Sequence, residues 1–97
     1  MSRNKRIVIL GRDASSLDSL TRILEGAGYI VASTVNDGVA IDMVGASTYD
    51  ALLISRDVAE ADRRYVATES RIRDTGIVVL SVNSPRSVLT QLSQALP

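Results

Sequence analysis

Residues 7–32, IVILGRDASSLDSLTRILEGAGYIVA, decide the fold. They open with four unbroken aliphatics, Ile7 to Leu10, and close on a second apolar run, Tyr29 to Ala32. Neither run alternates polar with apolar, as expected of strands covered on both faces of a parallel sheet. Between them Leu17, Leu20, Leu24 and Ala27 recur at helical spacing, with Asp13 or Ser15 as the N-cap and Gly28 as the stop. Strand, helix and strand in this order make a βαβ unit.

The same alternation continues to the C-terminus. Two further aliphatic runs, Ala51 to Ile54 and Ile77 to Val82, predict strands three and four. The second helix follows the turn residues Asn36, Asp37 and Gly38, carries Ala40, Ile41 and Val44, and is expected to break at Gly45. The third is predicted over 58–74, with Val58, Ala61, Tyr65, Thr68 and Ile72 on its inner stripe. From Arg56 to Asp74 there are also five arginines and five acids, read as a solvated, salt-bridged exterior. Ser84 and Pro85 read as N-cap and first residue of the fourth helix, which presents Val88, Leu89, Leu92, Ala95 and Leu96. Right-handed crossovers then give one (βα)4 domain over 1–97, a flavodoxin-like three-layer α/β/α sandwich with parallel strands in the order 2-1-3-4.

Composition narrows the chemistry. The chain has 97 residues, and its 45% hydrophobic content suits one core. Histidine and cysteine are absent, which removes imidazole bases, thiol nucleophiles, disulfides and the usual zinc, haem and iron–sulfur ligands. Lys5 is the sole lysine, beside ten arginines, eight aspartates and three glutamates. Such a set suits carboxylate-held magnesium or arginine-held phosphate. Eleven positive and eleven negative side chains balance, so no net field draws nucleic acid or an anionic membrane. No apolar stretch approaches the roughly 20 residues of a membrane span, and the expected location is the cytoplasm.

In an open parallel sheet a ligand sits beyond the carboxyl ends of the strands. The candidates there are Gly11, Arg12 and Asp13 after strand one, Ser55, Arg56 and Asp57 after strand three, and Ser81 in strand four. A dinucleotide loop would need glycine where Asp13 and Ser16 follow Gly11, so that reading fails.

The pieces RIVIL with GRD, LTRILEGAGY, NDG and DALLIS resemble, in order and spacing, the receiver domain of two-component response regulators over about the first 82 residues. The resemblance implies a signalling domain switched by phosphorylation of an aspartate ending strand three, with magnesium held by paired acids ending strand one. This chain has Ser55 at the first place and Gly11 and Arg12 at the second, so the resemblance is to a degenerate, truncated receiver. Ser81 matches the family's switch hydroxyl, and no lysine matches the family's fifth-strand lysine. The last strand and helix align with either the fourth or the fifth unit of the family.

The expected role is therefore non-enzymatic, without metal or cofactor: a phosphorylation-independent pseudo-receiver that binds a protein partner. Arg12 either fills the vacated metal position, pairing with Asp13 or Asp57, or is a surface-loop arginine. A small phosphate- or nucleotide-binding regulatory domain is the alternative. Strand four is an uncharged edge, and the last 21 residues carry one charge, Arg86. An unprotected edge needs a cover, either the fourth helix folded back or a second copy. The sequence favours a homodimer through strand four or the C-terminal helix, with Val79, Val88, Leu89, Leu92 and Leu96 as interface residues.

Overall fold

The computed structural model describes residues 4–96. The elements are β1 (Arg6–Leu10), α1 (Ala14–Gly26), β2 (Ile30–Thr34), α2 (Asp37–Ala46), β3 (Ala51–Ile54), α3 (Glu60–Arg73), β4 (Val78–Ser81) and α4 (Val88–Ala95). All strand pairs are parallel and the order is β2-β1-β3-β4, as the sequence predicts. The fold is the expected flavodoxin-like α/β sandwich.

Helix α1 forms where its leucines predict. Leu17, Leu20 and Leu24 are buried, and the Asp13 side chain accepts from the Ser16 backbone N–H at the N-terminus. Its end is a Schellman motif: Gly28 N–H donates to Glu25 C=O, and Tyr29 N–H donates to Leu24 C=O. Gly28 has φ of 97°, a value that glycine adopts without the Cβ penalty of other residues. Ala27 is an exposed cap residue and not part of the buried stripe.

Two cores flank the sheet. Ile7, Ile9, Ala51 and Leu53 face α1 and α4, where they meet Leu17, Leu20, Leu24, Val88 and Leu92. Val8, Leu10, Leu52 and Ile54 face α2 and α3, where they meet Ala40, Ile41, Val44 and Val66. Strands β1 and β3 are thus buried on both faces, apart from Arg6 at the start of β1. The expectation of two-sided cover fails for β2 and β4, which are edges with partly exposed residues.

Three helix boundaries or faces differ from the sequence reading. Helix α2 runs through Gly45 to Ala46, and Gly45 lies against the Arg73 side chain of α3. Helix α3 begins at Glu60 and buries Val66 and Ser70, whereas Tyr65 is 56% and Ile72 67% exposed. The rotation follows from packing on α2 and from Val66, which joins the core on that face of the sheet. Helix α4 begins at Val88 because residues 84–87 close a turn through Ser87 N–H to Ser84 C=O.

The interface expectation is corrected by this packing. Val88 and Leu92 are fully buried inside the chain's own core, and Leu96 packs against the same cluster. Leu89 is 37% exposed and Val79 is half-buried on the β4 edge. The edge is also partly covered from within, since Gln91 Nε2 donates to Ser81 C=O at 2.9 Å.

Candidate functional site

The carboxyl ends of β1 and β3 meet around Gly11 and Ser55. A Cβ on Gly11 would lie 2.9 Å from Leu17 Cδ2 and 3.2 Å from Ser55 Cβ, so the close approach of α1 and the β3–α3 loop depends on its absence. Ser55 is 6% exposed, its N–H donates to Leu10 C=O, and its C=O accepts from Val58 N–H. It therefore closes a turn at the strand end.

The next two residues of the β1–α1 loop are tied to Asp57. Arg12 N–H donates to the Asp57 carboxylate at 3.1 and 3.2 Å, and Asp13 N–H donates to it at 3.0 Å. Asp57 does not cap α3, whose N-cap residue Ala59 offers no side-chain acceptor. Asp13 instead caps its own helix, accepting from Ser16 N–H and Ser16 Oγ at 2.9 Å each. The backbone hydrogen bond, and then the hydroxyl, hold the Asp13 carboxyl below the usual aspartate range.

The Arg12 guanidinium does not pair with the side chains expected for it. Its Nη1 donates to Val35 C=O at 2.7 Å, and its Nη2 lies 2.8 Å from Asp37 Oδ1 and 3.2 Å from Asp62 Oδ2. The Asp37 contact is close but off the N–H direction, an ion pair with poor hydrogen-bond geometry. Partial burial works against the guanidinium charge, but Asp37 and then Asp62 outweigh it and hold the pKa above the ordinary arginine value. One side chain thereby joins the β1–α1 loop, the start of α2 and the first turn of α3.

Sequence reasoning missed Asp37 and Asp62 as partners. Asp37 belongs to the NDG turn, and the parallel register of β1 with β2 brings that turn beside Arg12. Asp62 belongs by spacing to the charged outer face, yet it reaches Arg12 from the first turn of α3.

The remaining candidates lie elsewhere. Ser55 and Arg56 line a cavity of about 150 Å³ with Ser16, Ser19, Leu20, Val82, Ser84 and Pro85. Arg56 Nη1 donates to Asn83 C=O at 3.4 Å. Ser81 faces away, into an open groove of about 320 Å³ between α3 and β4, whose walls include Arg63, Arg64, Arg71 and Val79. The seven residues thus divide among an Arg12-centred cluster, a small cavity and an edge groove. Among the described residues no group of three or more acids is placed to hold a metal ion, and no helix is long and apolar enough to cross a membrane.

No family model and no curated protein matches the chain. Solved structures do. The chemotaxis protein CheY4 of Vibrio cholerae superposes with a TM-score of 0.74 at 13% identity, over 97% of this chain and 100% of that one. A CheY-like response regulator receiver domain from Methanospirillum hungatei gives 0.69 at 18% identity, over 95% and 93%. The lactose-specific IIB component domain of a phosphotransferase system from Streptococcus pneumoniae gives 0.72 at 17% identity, over 98% and 100%. At these identities the likeness is one of fold: the chain has a CheY-like receiver fold.

Proposed function

We propose that the chain is a degenerate receiver, a cytoplasmic interaction module of two-component-type signalling whose conformation is independent of phosphorylation. The observation that carries this reading is the Arg12 cluster. Where a receiver's acids would gather round magnesium, this chain has a guanidinium that pairs with Asp37 and Asp62. A covalently held cation stands in for an exchangeable one, and Ser55 offers no carboxylate to form an acyl phosphate. Asp57 is engaged by two backbone N–H groups, which fixes the loop that a phosphoryl switch would move. Placement of α4 on the α1 face supports aligning the last strand and helix with the family's fifth unit, one unit having been lost. A homodimer through α4 loses Val88 and Leu92 to the core.

Intact-mass spectrometry after incubation with acetyl phosphate and magnesium tests the proposal, with amide NMR in beryllofluoride as the second arm. The expected result is an unmodified chain and unmoved amides at 11–13, 55–57 and 81–83. An acyl phosphate on Asp13 or Asp57 would overturn it.

A second reading, a small-anion site, is favoured by the cavity lined by Ser55 and Arg56. Its 150 Å³ is half the lower bound of about 300 Å³ for drug-sized ligand pockets, so a nucleotide is too large and a phosphate-sized anion fits. A phosphate titration of wild-type and Arg56→Ala protein distinguishes this reading, since only a used cavity gives shifts that the substitution removes.

A further inference from the structure

We infer that the groove between α3 and β4 binds an acidic extended segment of a partner protein, added to the sheet as a fifth strand. The inference gives a partner class to the interaction module proposed above. Its basis is an imbalance between the two faces of the sheet. Helix α4 crosses to the α1 side, so α2 and α3 alone cover the other side, and Val79 and Ser81 of β4 remain in the wall of an open groove.

The edge is available for pairing. Val78 N–H donates to Asp50 C=O and Val82 N–H donates to Ile54 C=O, so the even-numbered residues of β4 turn toward β3. The alternation of a parallel ladder then directs the N–H and C=O of Val79, and the N–H of Ser81, outward. Gln91 occupies only the Ser81 carbonyl. These groups can accept an added strand by main-chain hydrogen bonding.

Charge selects the occupant. The groove is lined by Arg63, Arg64 and Arg71 against one acid, Glu60, which is already paired with Arg64 at 2.9 Å. Arg63 Nε is buried and has no acceptor among the described residues. A second copy of this chain paired symmetrically along β4 would bring two such arginine clusters together, and like charge disfavours that arrangement. An acidic strand matches it. On such a strand, alternate side chains would place carboxylates on the α3 side, near Arg63 and Arg71, and apolar groups on the α4 side, near Leu80 and Leu96.

The test is an amide NMR titration of the whole chain with a synthetic peptide alternating valine and glutamate, compared with its valine–lysine counterpart. Shifts are expected at residues 60–71 and 78–82 with the glutamate peptide alone, weakening in high salt. Arg71→Glu, at an exposed position, is expected to weaken binding about tenfold. A glutamate peptide N-methylated at alternate residues, used with the unaltered protein, should not bind. The inference is overturned by the absence of shifts at millimolar peptide, by equal binding of both peptides, or by unchanged binding after N-methylation. It is also overturned by concentration-dependent shifts of the same residues without peptide, which would identify a second copy as occupant. Each of these failures leaves the pseudo-receiver reading intact, because the acetyl phosphate and beryllofluoride experiments decide that.

Discussion

Replacing Leu92 by alanine should destabilise the monomer itself. The side chain is fully buried against the α1 leucines, so the substitution removes three carbons from a packed core. At about 0.8 kcal/mol per methylene the transfer contribution is about 2.4 kcal/mol, and the residual cavity brings the expected loss to about 3 kcal/mol. For a domain of this size that corresponds to a fall in Tm on the order of 15 °C. Leu89, on the same helix but 37% exposed, provides the contrast: its truncation should cost no more than about 1 kcal/mol. Urea denaturation followed by circular dichroism measures both variants. Repeating it over roughly a hundredfold range of protein concentration separates core from interface, because the stability of an obligate dimer depends on concentration. The expected midpoints do not move with concentration. A Leu92→Ala loss below about 1 kcal/mol, or a wild-type midpoint that rises with concentration and ceases to do so in the variant, would refute the assignment of Leu92 to the core.

Three further outcomes follow from the site. Asp57→Ala hands the Arg12 and Asp13 amides to water, so a loss of about 1 kcal/mol and faster hydrogen exchange at those two amides are expected. Gly11→Ala introduces a Cβ against Leu17 and Ser55 and should cost about 1–2 kcal/mol by thermal melting. Asp13 supplies a pH dependence: with its folded pKa lowered, its stabilisation is complete above the ordinary aspartate value of roughly 3.9 and is lost as pH falls through the lower folded value. Asp13→Asn removes that titration, so the stability gap between variant and wild type should narrow as urea midpoints are taken from about pH 5 toward 2.

The architecture is legible in the sequence because local periodicity and topology rules coincide. Unbroken aliphatic runs mark the strands, the α1 leucines mark the helix face, and short crossovers leave few ways to assemble four βα units. The presence of Gly11, Arg12 and Ser55 at the strand ends is likewise visible in the sequence, since side-chain chemistry is a property of the sequence. Helix α3 shows where this ends. Tyr65 and Ile72 lie at plausible spacing for an inner stripe, yet Val66 and Ser70 are inside, because helix rotation is fixed by what α2 and the sheet accept.

Tertiary structure alone decides which charges meet. Arg12 has acids adjacent in sequence and at the expected strand end, but its guanidinium reaches Asp37 and Asp62, 25 and 50 positions away, brought together by the register of β1 with β2 and the seating of α3. The same is true of Val88 and Leu92, which have the spacing of an interface stripe and become core once α4 crosses to the α1 face. Periodicity states that a helix has an apolar side, but what that side meets depends on the path of the chain through space. That path buries α4's leucine stripe and leaves the arginines of α3 along an open edge of the sheet.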